Sequence, residues 1–182
     1  NPTLSAFVVK QLIVQGKVVS VMRSYEGRRT LNQTLNLIAF SSGLKQFIEK
    51  VQGEIKACFK PNREFEVWQK TEETPDKDKF FLETGYTFLN ELLLLWVCKD
   101  KQLIDFEVIQ NGEQLASLKK EAQQIYSYIF LNNLFDWYQP SNFLLQEITN
   151  FFNKYDFRDI DRDILGKLYE QFITREERKN LG

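Results

Sequence analysis

The sequence contains no histidine among its 182 residues. Histidine is the usual base of hydrolytic triads, the commonest metal ligand in proteins and the side chain that titrates near neutral pH. Its absence therefore excludes hydrolases with a histidine-based triad and metal centres with histidine ligands.

Cysteines and long apolar runs are also scarce. Cys58 and Cys98 are the two cysteines, and because they belong to no CxxC motif they indicate neither a zinc site nor a disulfide framework. We interpret both as buried thiols in the reducing cytoplasm. The longest apolar run, residues 92–98, has seven residues, whereas a helix needs roughly 20 to cross a bilayer. The sequence therefore predicts a cytoplasmic protein that has no membrane partner.

Glycine and proline rarely interrupt the chain. It has eight glycines and four prolines, and it contains no repeat, low-complexity tract or Gly/Ser linker. We predict a single helical domain over residues 1–182. The chain starts at Asn1-Pro2-Thr3 without an initiator methionine and ends abruptly at Gly182, so we interpret it as a fragment of a longer protein.

Apolar residues recur at helical spacing along most of the chain. This period predicts helices over residues 31–59 with an interruption at Gly43, over 80–97, and through 115–134, 141–152 and 160–173. Residues 80–97 are apolar on nearly all sides, which indicates burial on more than one face. Residues 17–25 fit a short strand or a second helix equally well, because their β-branched and apolar residues show no clean alternation, so residues 17–40 also admit a short β-hairpin. The predicted fold class is all-α, an irregular bundle of about six to eight helices around a buried central helix.

No motif for nucleotide or metal binding is present. The glycines form neither a GxGxxG sequence nor a P-loop. The spacing of a calcium loop is roughly matched by four aspartates, Asp156, Asp159, Asp161 and Asp163. An EF-hand loop, however, requires glycine at its sixth position and glutamate at its twelfth. Counted from Asp156, these positions hold Asp161 and Lys167. We interpret these aspartates as helix caps. The sequence predicts no catalytic, cofactor-binding or metal-binding residue.

Charge is balanced overall but unevenly distributed. The net charge is −1, yet residues 1–70 carry 11 basic and 5 acidic side chains, whereas residues 71–118 carry 4 and 10. A basic cluster near the start provides the candidate contacts with a DNA backbone, namely Lys17, Arg23, Arg28 and Arg29. An ordinary solvated turn has the same composition, so the residues alone leave both interpretations open.

A longer pattern occupies the last 28 residues of the chain. It runs Tyr155-Asp156-Phe157, then Ile160-Asp161-x-Asp163-Ile164-Leu165-Gly166-x-Leu168-Tyr169-Glu170-x-Phe172-Ile173, then Glu177-Arg178-Lys179-x-Leu181-Gly182. This pattern resembles the segment that leads into the catalytic domain of adenine-specific DNA methyltransferases of bacterial restriction-modification systems, either type I modification subunits or fused type II enzymes. Residues 85–104 show a looser similarity to the helix that precedes that catalytic domain, and residues 1–70 match no pattern of the family.

The resemblance implies a supporting role. In that family the pattern is followed by an aromatic-Tyr-Thr-Pro motif, a glycine loop that binds S-adenosylmethionine and a catalytic Asn-Pro-Pro-aromatic motif. None of these is present, since the only Asn-Pro is Asn1-Pro2. The resemblance thus implies a non-catalytic accessory or linker domain without a cofactor of its own, in a parent enzyme that uses S-adenosylmethionine. Its implied partners are DNA, the catalytic domain and a specificity or nuclease domain. We expect weak DNA binding by the fragment, because its basic and acidic parts offset each other.

Two other functions fit the residues without the resemblance. A free-standing helical protein–protein interaction domain would use the apolar surface of residues 80–97. An enzyme that acts through paired carboxylates would need two strongly perturbed acids in one cleft, and nothing in the sequence singles out such a pair.

Overall fold

The structure is a computed structural model, and it describes residues 37–73, 75–127, 130 and 134–160. These residues form five α-helices and no strand, as the all-α prediction requires. The helices are α1 (Leu37–Cys58), α2 (Arg63–Thr71), α3 (Lys77–Asp100), α4 (Gly112–Ile125) and α5 (Asn142–Phe152).

Helix α3 is the centre of the bundle. Nearly every side chain from Phe80 to Trp96 is buried, whichever side of the helix it occupies. Helices α1 and α4 both pack against α3, and α5 packs against α1. The predicted burial of residues 80–97 on more than one face is therefore confirmed. The helix begins at Lys77 because the Asp76 side chain accepts a hydrogen bond from the backbone N–H of Asp78 and caps the first turn.

A left-handed residue ends α3. Gln102 has a φ of 59°, its N–H donates to the Lys99 carbonyl over 2.8 Å, and the Leu103 N–H donates to the Cys98 carbonyl over 2.9 Å. These two bonds make a Schellman motif, which satisfies the last carbonyls of the helix and turns the chain sharply. Asp100 and Lys101 consequently stand at the end of the central helix.

Helices α1 and α5 run antiparallel and in close contact. Phe40 near the start of α1 contacts Phe152 at the end of α5, with ring centroids 5.4 Å apart. At the opposite end, Glu54 accepts a hydrogen bond from Ser141, the N-cap of α5. The predicted interruption at Gly43 is wrong, because α1 continues through this glycine, whose missing side chain leaves room for the ring of Phe151.

Gly43→Ala is expected to lower the free energy of unfolding by about 1–2 kcal/mol. A Cβ atom at Gly43 would overlap the ring of Phe151, which is stacked on Phe40 and cannot shift without disturbing it. Gly53→Ala is the matched control, since nothing lies within 4 Å of a Cβ there, and it is expected to add up to about 1 kcal/mol through helix propensity. Urea unfolding measures the free energy of unfolding of both variants. Equal changes in the two variants would contradict the close packing of Gly43 against the ring of Phe151.

Three other predictions require correction. Residues 37–40 of the suggested hairpin belong to α1, while residues 17–36 lie outside the described part of the chain. The helix predicted through residue 134 ends at Ile125, because the backbone leaves the helical conformation at Tyr126, where φ is −128° and ψ is 70°. Cys98 is buried, but Cys58 is exposed at the end of α1.

Candidate functional site

The four candidate DNA contacts, Lys17, Arg23, Arg28 and Arg29, lie outside the described residues. The pattern that carries the resemblance begins inside the described part, at residues 155–160. We call residues 155–160 the anchored segment, because it is held against the ends of α3 and α5. The contacts of this segment define the candidate site.

The chain enters the anchored segment through a tight turn at the end of α5. Successive N–H groups of Asn153, Lys154 and Tyr155 donate to the carbonyls of Thr149, Phe151 and Phe152 over 3.0–3.2 Å. The Asn153 side chain also accepts hydrogen bonds from the Trp96 indole and the Lys99 ammonium of α3, over 3.1 and 2.9 Å. These bonds place Asn153, two residues before the anchored segment, beside the last turns of α3.

Aromatic packing holds the anchored segment in the core. The side chain of Phe157 is 0% exposed, and its ring lies 5.2 Å from that of Phe40 and 6.0 Å from that of Phe152. Tyr155 contacts the same cluster, with its ring 4.8 Å from that of Phe40. Ile160, the last described residue, is 3% exposed. The apolar side chains of the segment are therefore part of the hydrophobic core.

Polar contacts from α3 fix the backbone of the same segment. The N–H of Phe157 donates to a carboxylate oxygen of Asp100 over 2.7 Å. The Lys101 ammonium donates to the carbonyls of Arg158 and Ile160 over 2.9 and 3.3 Å. Burial raises the pKa of Asp100, and the hydrogen bond from Phe157 opposes that shift. Because the two side chains bind the backbone at Phe157, Arg158 and Ile160, they determine the path of the chain here.

Asp156 has a local role that differs from the predicted one. Its carboxylate accepts a hydrogen bond from the N–H of Arg158 over 3.0 Å and pairs with the Arg158 guanidinium. Asp156 therefore closes a turn within the anchored segment and does not cap a helix. Among the described residues no group of three or more Cys, Asp or Glu side chains is placed to hold a metal ion.

A buried ionic cluster lies elsewhere on α3. The ammonium of Lys119 on α4 is 2.6 Å from a carboxylate oxygen of Glu91 on α3 and 2.9 Å from one of Asp136. Burial raises the pKa of Glu91 to about 7, although Lys119 opposes the shift. A carboxyl group with such a pKa is a candidate acid or base. The Glu91 side chain is, however, only 6% exposed and paired, so the cluster joins α3 to α4 rather than meeting a substrate.

A second buried carboxylate joins α3 to α2. Glu83 accepts a hydrogen bond from the Trp68 indole over 2.7 Å, and burial raises its pKa to about 7. Glu83 and Glu91 are eight residues apart, which corresponds to about 12 Å along the helix axis. They therefore form no acid–base pair of the kind that the carboxylate-enzyme hypothesis requires.

Sequence reasoning did not single out these groups. Nothing in the sequence around Asp100 and Lys101 indicates a binding role, yet these two residues hold the anchored segment. Glu83 and Glu91 do have a sequence signal, because they are the only charged residues within 80–97. A carboxylate inside an apolar helix indicates a buried partner.

The described helices include none that is both long and apolar enough to span a membrane. No protein-family model matches the sequence, and comparisons with curated proteins and with solved structures find no match either.

Proposed function

We propose that this chain is a non-catalytic helical accessory domain of an S-adenosylmethionine-dependent adenine-specific DNA methyltransferase of a restriction-modification system. It supports DNA binding and docks the catalytic domain, which follows Gly182 in the parent enzyme. The parent enzyme transfers a methyl group to the exocyclic amine of an adenine flipped out of the duplex.

One observation carries the proposal. The sequence resembles this family in two separate stretches, residues 85–104 and the residues from Tyr155 onward, and these stretches contact each other. Asp100 in the first stretch accepts the hydrogen bond from Phe157 in the second, and Lys101 binds the carbonyls of Arg158 and Ile160. Agreement between two distant stretches that meet in the fold supports a shared structural unit.

The anchored segment suits a docking role. A module joined to a buried segment leaves the bundle in a defined direction, whereas a module on a free linker samples many orientations. The chain itself does not fit the cofactor, because its eight glycines form no binding loop and it lacks the Asn-Pro-Pro motif. We assign no step of methyl transfer to its residues.

The protein-interaction alternative has lost its sequence basis. The surface that it required, residues 80–97, is buried in the bundle. The large apolar side chains that are exposed in the described residues are spread over several helices and loops, namely Ile38, Val67, Leu103, Val108, Ile125 and Phe143.

The coding sequence beyond Gly182 provides the direct test. We expect an aromatic-Tyr-Thr-Pro motif, then a glycine loop, then an Asn-Pro-Pro-aromatic motif within the next few hundred residues. A reading frame that stops at Gly182, or that continues without these motifs, contradicts the proposal.

DNA binding provides a second test. Affinity for duplex DNA is expected to fall steeply with salt, and the double variant Arg28→Ala/Arg29→Ala is expected to reduce the salt slope by about 2 because two phosphate contacts are removed. The control is Arg63→Ala/Lys70→Ala, which removes two exposed basic residues of α2 and should leave the slope unchanged. An unchanged slope in the first variant would remove Arg28 and Arg29 from the interface.

Asp100→Ala tests the anchored segment itself. The variant leaves the N–H of Phe157 without its acceptor, so we expect a loss of about 1–2 kcal/mol in the free energy of unfolding and faster hydrogen exchange of that amide. Asp100→Asn retains a side-chain oxygen that can accept the bond and should restore most of the protection. If both variants exchange at the same rate as the wild type, Asp100 does not hold the segment.

A further inference from the structure

Helix α4 has a small apolar contact with the rest of the bundle. Of its 14 residues only Leu115 and Ala122 are buried, at 7% and 0% exposure. For comparison, α5 has 11 residues and buries five of them. Elements with few buried apolar side chains open at lower free energy than the core around them.

The N-terminal end of α4 is held independently of the helix. Ile109 precedes it, is 0% exposed, and its carbonyl accepts a hydrogen bond from the Thr149 hydroxyl of α5 over 3.3 Å. Asn111 caps the helix through the N–H of Gln114. Residues 109–111 therefore stay with the core and provide a pivot if the rest of α4 moves.

The middle of α4 is held by charge. Lys119 is 23% exposed and reaches across to Glu91 of α3, while Asp136 of the loop before α5 binds the same ammonium. Lys119 lowers the pKa of Glu91 and Asp136 raises it. The cluster thus joins α4 both to the central helix and to the loop 134–137.

We infer that α4 is a detachable helix whose docking on α3 is controlled by the protonation of Glu91 within the Glu91–Lys119–Asp136 cluster. Undocking pivots at residues 109–111 and exposes Glu91 to water without unfolding α1, α3 and α5. This inference does not depend on the proposed function.

Proton linkage gives the direction of the effect. Burial raises the pKa of Glu91 from 4.5 to about 7 when α4 is docked, and exposure to water returns it to its ordinary value. Docking is therefore accompanied by proton uptake between these two values. The contribution of Glu91 to docking is therefore fully present below the pKa of the exposed group, 4.5, and it is lost as the pH rises through the docked pKa of about 7.

Hydrogen exchange of the full chain tests the inference. After correction for intrinsic exchange rates, the opening constant of the amides in residues 116–122 is expected to rise on the order of tenfold between about pH 5.5 and about pH 8, whereas the amides of α3 are expected to keep their protection. The inference is overturned if the α4 amides exchange only together with those of α3, or if their opening constant does not rise over this interval.

Glu91→Gln separates protonation from packing. The amide is close in shape to the protonated carboxyl group, so the variant is expected to keep α4 protected and to abolish the pH dependence. Glu83→Gln is the control, because Glu83 binds Trp68 of α2 and not α4, and it should retain the wild-type dependence of α4. A Glu91→Gln protein with the wild-type dependence would also overturn the inference. If Glu91→Gln does not fold, the inference is tested by comparing the pH dependence of hydrogen exchange in α4 with that in α3, in the wild type and in Glu83→Gln.

Discussion

Replacing Phe157 by alanine is expected to lower the free energy of unfolding by about 3–4 kcal/mol. The side chain is 0% exposed and packs between Phe40 of α1 and Phe152 of α5. Its removal leaves a cavity where α1, α5 and the anchored segment meet. Denaturant unfolding measures the loss, and hydrogen exchange of residues 157–160 should increase more than that of α2.

Phe143→Ala is the matched control for Phe157→Ala. It removes the same side chain from α5, but from a position that is 73% exposed, so the expected change is within about 0.5 kcal/mol. Similar losses in the two variants would mean that the anchored segment is not part of the core. Such a result would also remove the observation that supports the docking function.

Lys119→Met is expected to lower the free energy of unfolding by about 3 kcal/mol near pH 8. The variant leaves the Glu91 carboxylate, which is 6% exposed, beside Asp136 without the cation that pairs with both groups. A buried charge without its partner is strongly destabilising, since the interior cannot replace the hydration that the group has lost. Urea unfolding at several pH values measures the effect.

The pH dependence of Lys119→Met has a definite sign. The pKa of Glu91 is already raised to about 7 by burial, and removing Lys119 raises it further. Below neutral pH the carboxyl group is protonated in the folded state, so the loss is expected to shrink as the pH falls from about 8 to about 5. Lys120→Met is the control at the neighbouring exposed position and should change stability by less than about 0.5 kcal/mol at either pH. A loss that grows on acidification would contradict the assignment of charge to Glu91.

Helix positions were predictable where local signals agree. Ser141 directly precedes the apolar residues of α5 and caps that helix, since its hydroxyl accepts a hydrogen bond from the N–H of Leu144. Helix α2 had similar signals that were not recognised: Asn62 caps it, and the buried Phe65 and Trp68 are one turn apart. A nine-residue helix with two apolar anchors is short for a periodicity argument, which explains the omission.

The interruption predicted at Gly43 was wrong because the role of this glycine depends on a residue that is distant in the sequence. Gly43 is unfavourable for a helix when only its own propensity is considered, and an interruption was predicted there. In the fold, the ring of Phe151 occupies the space that any side chain would need. This contact joins α1 to α5, which are about a hundred residues apart in the sequence. The residues around Gly43 therefore give no indication of it.

The amino-acid sequence by itself determined the helical class, the burial of the central helix and the exclusion of histidine chemistry, because these depend on composition and on local periodicity. Tertiary structure alone decided that Asp100 and Lys101 hold the anchored segment and that Lys119 joins Glu91 to Asp136. The reason is physical: the environment of a charged group depends on which distant groups share its space, and only the packing of the helices brings those groups together.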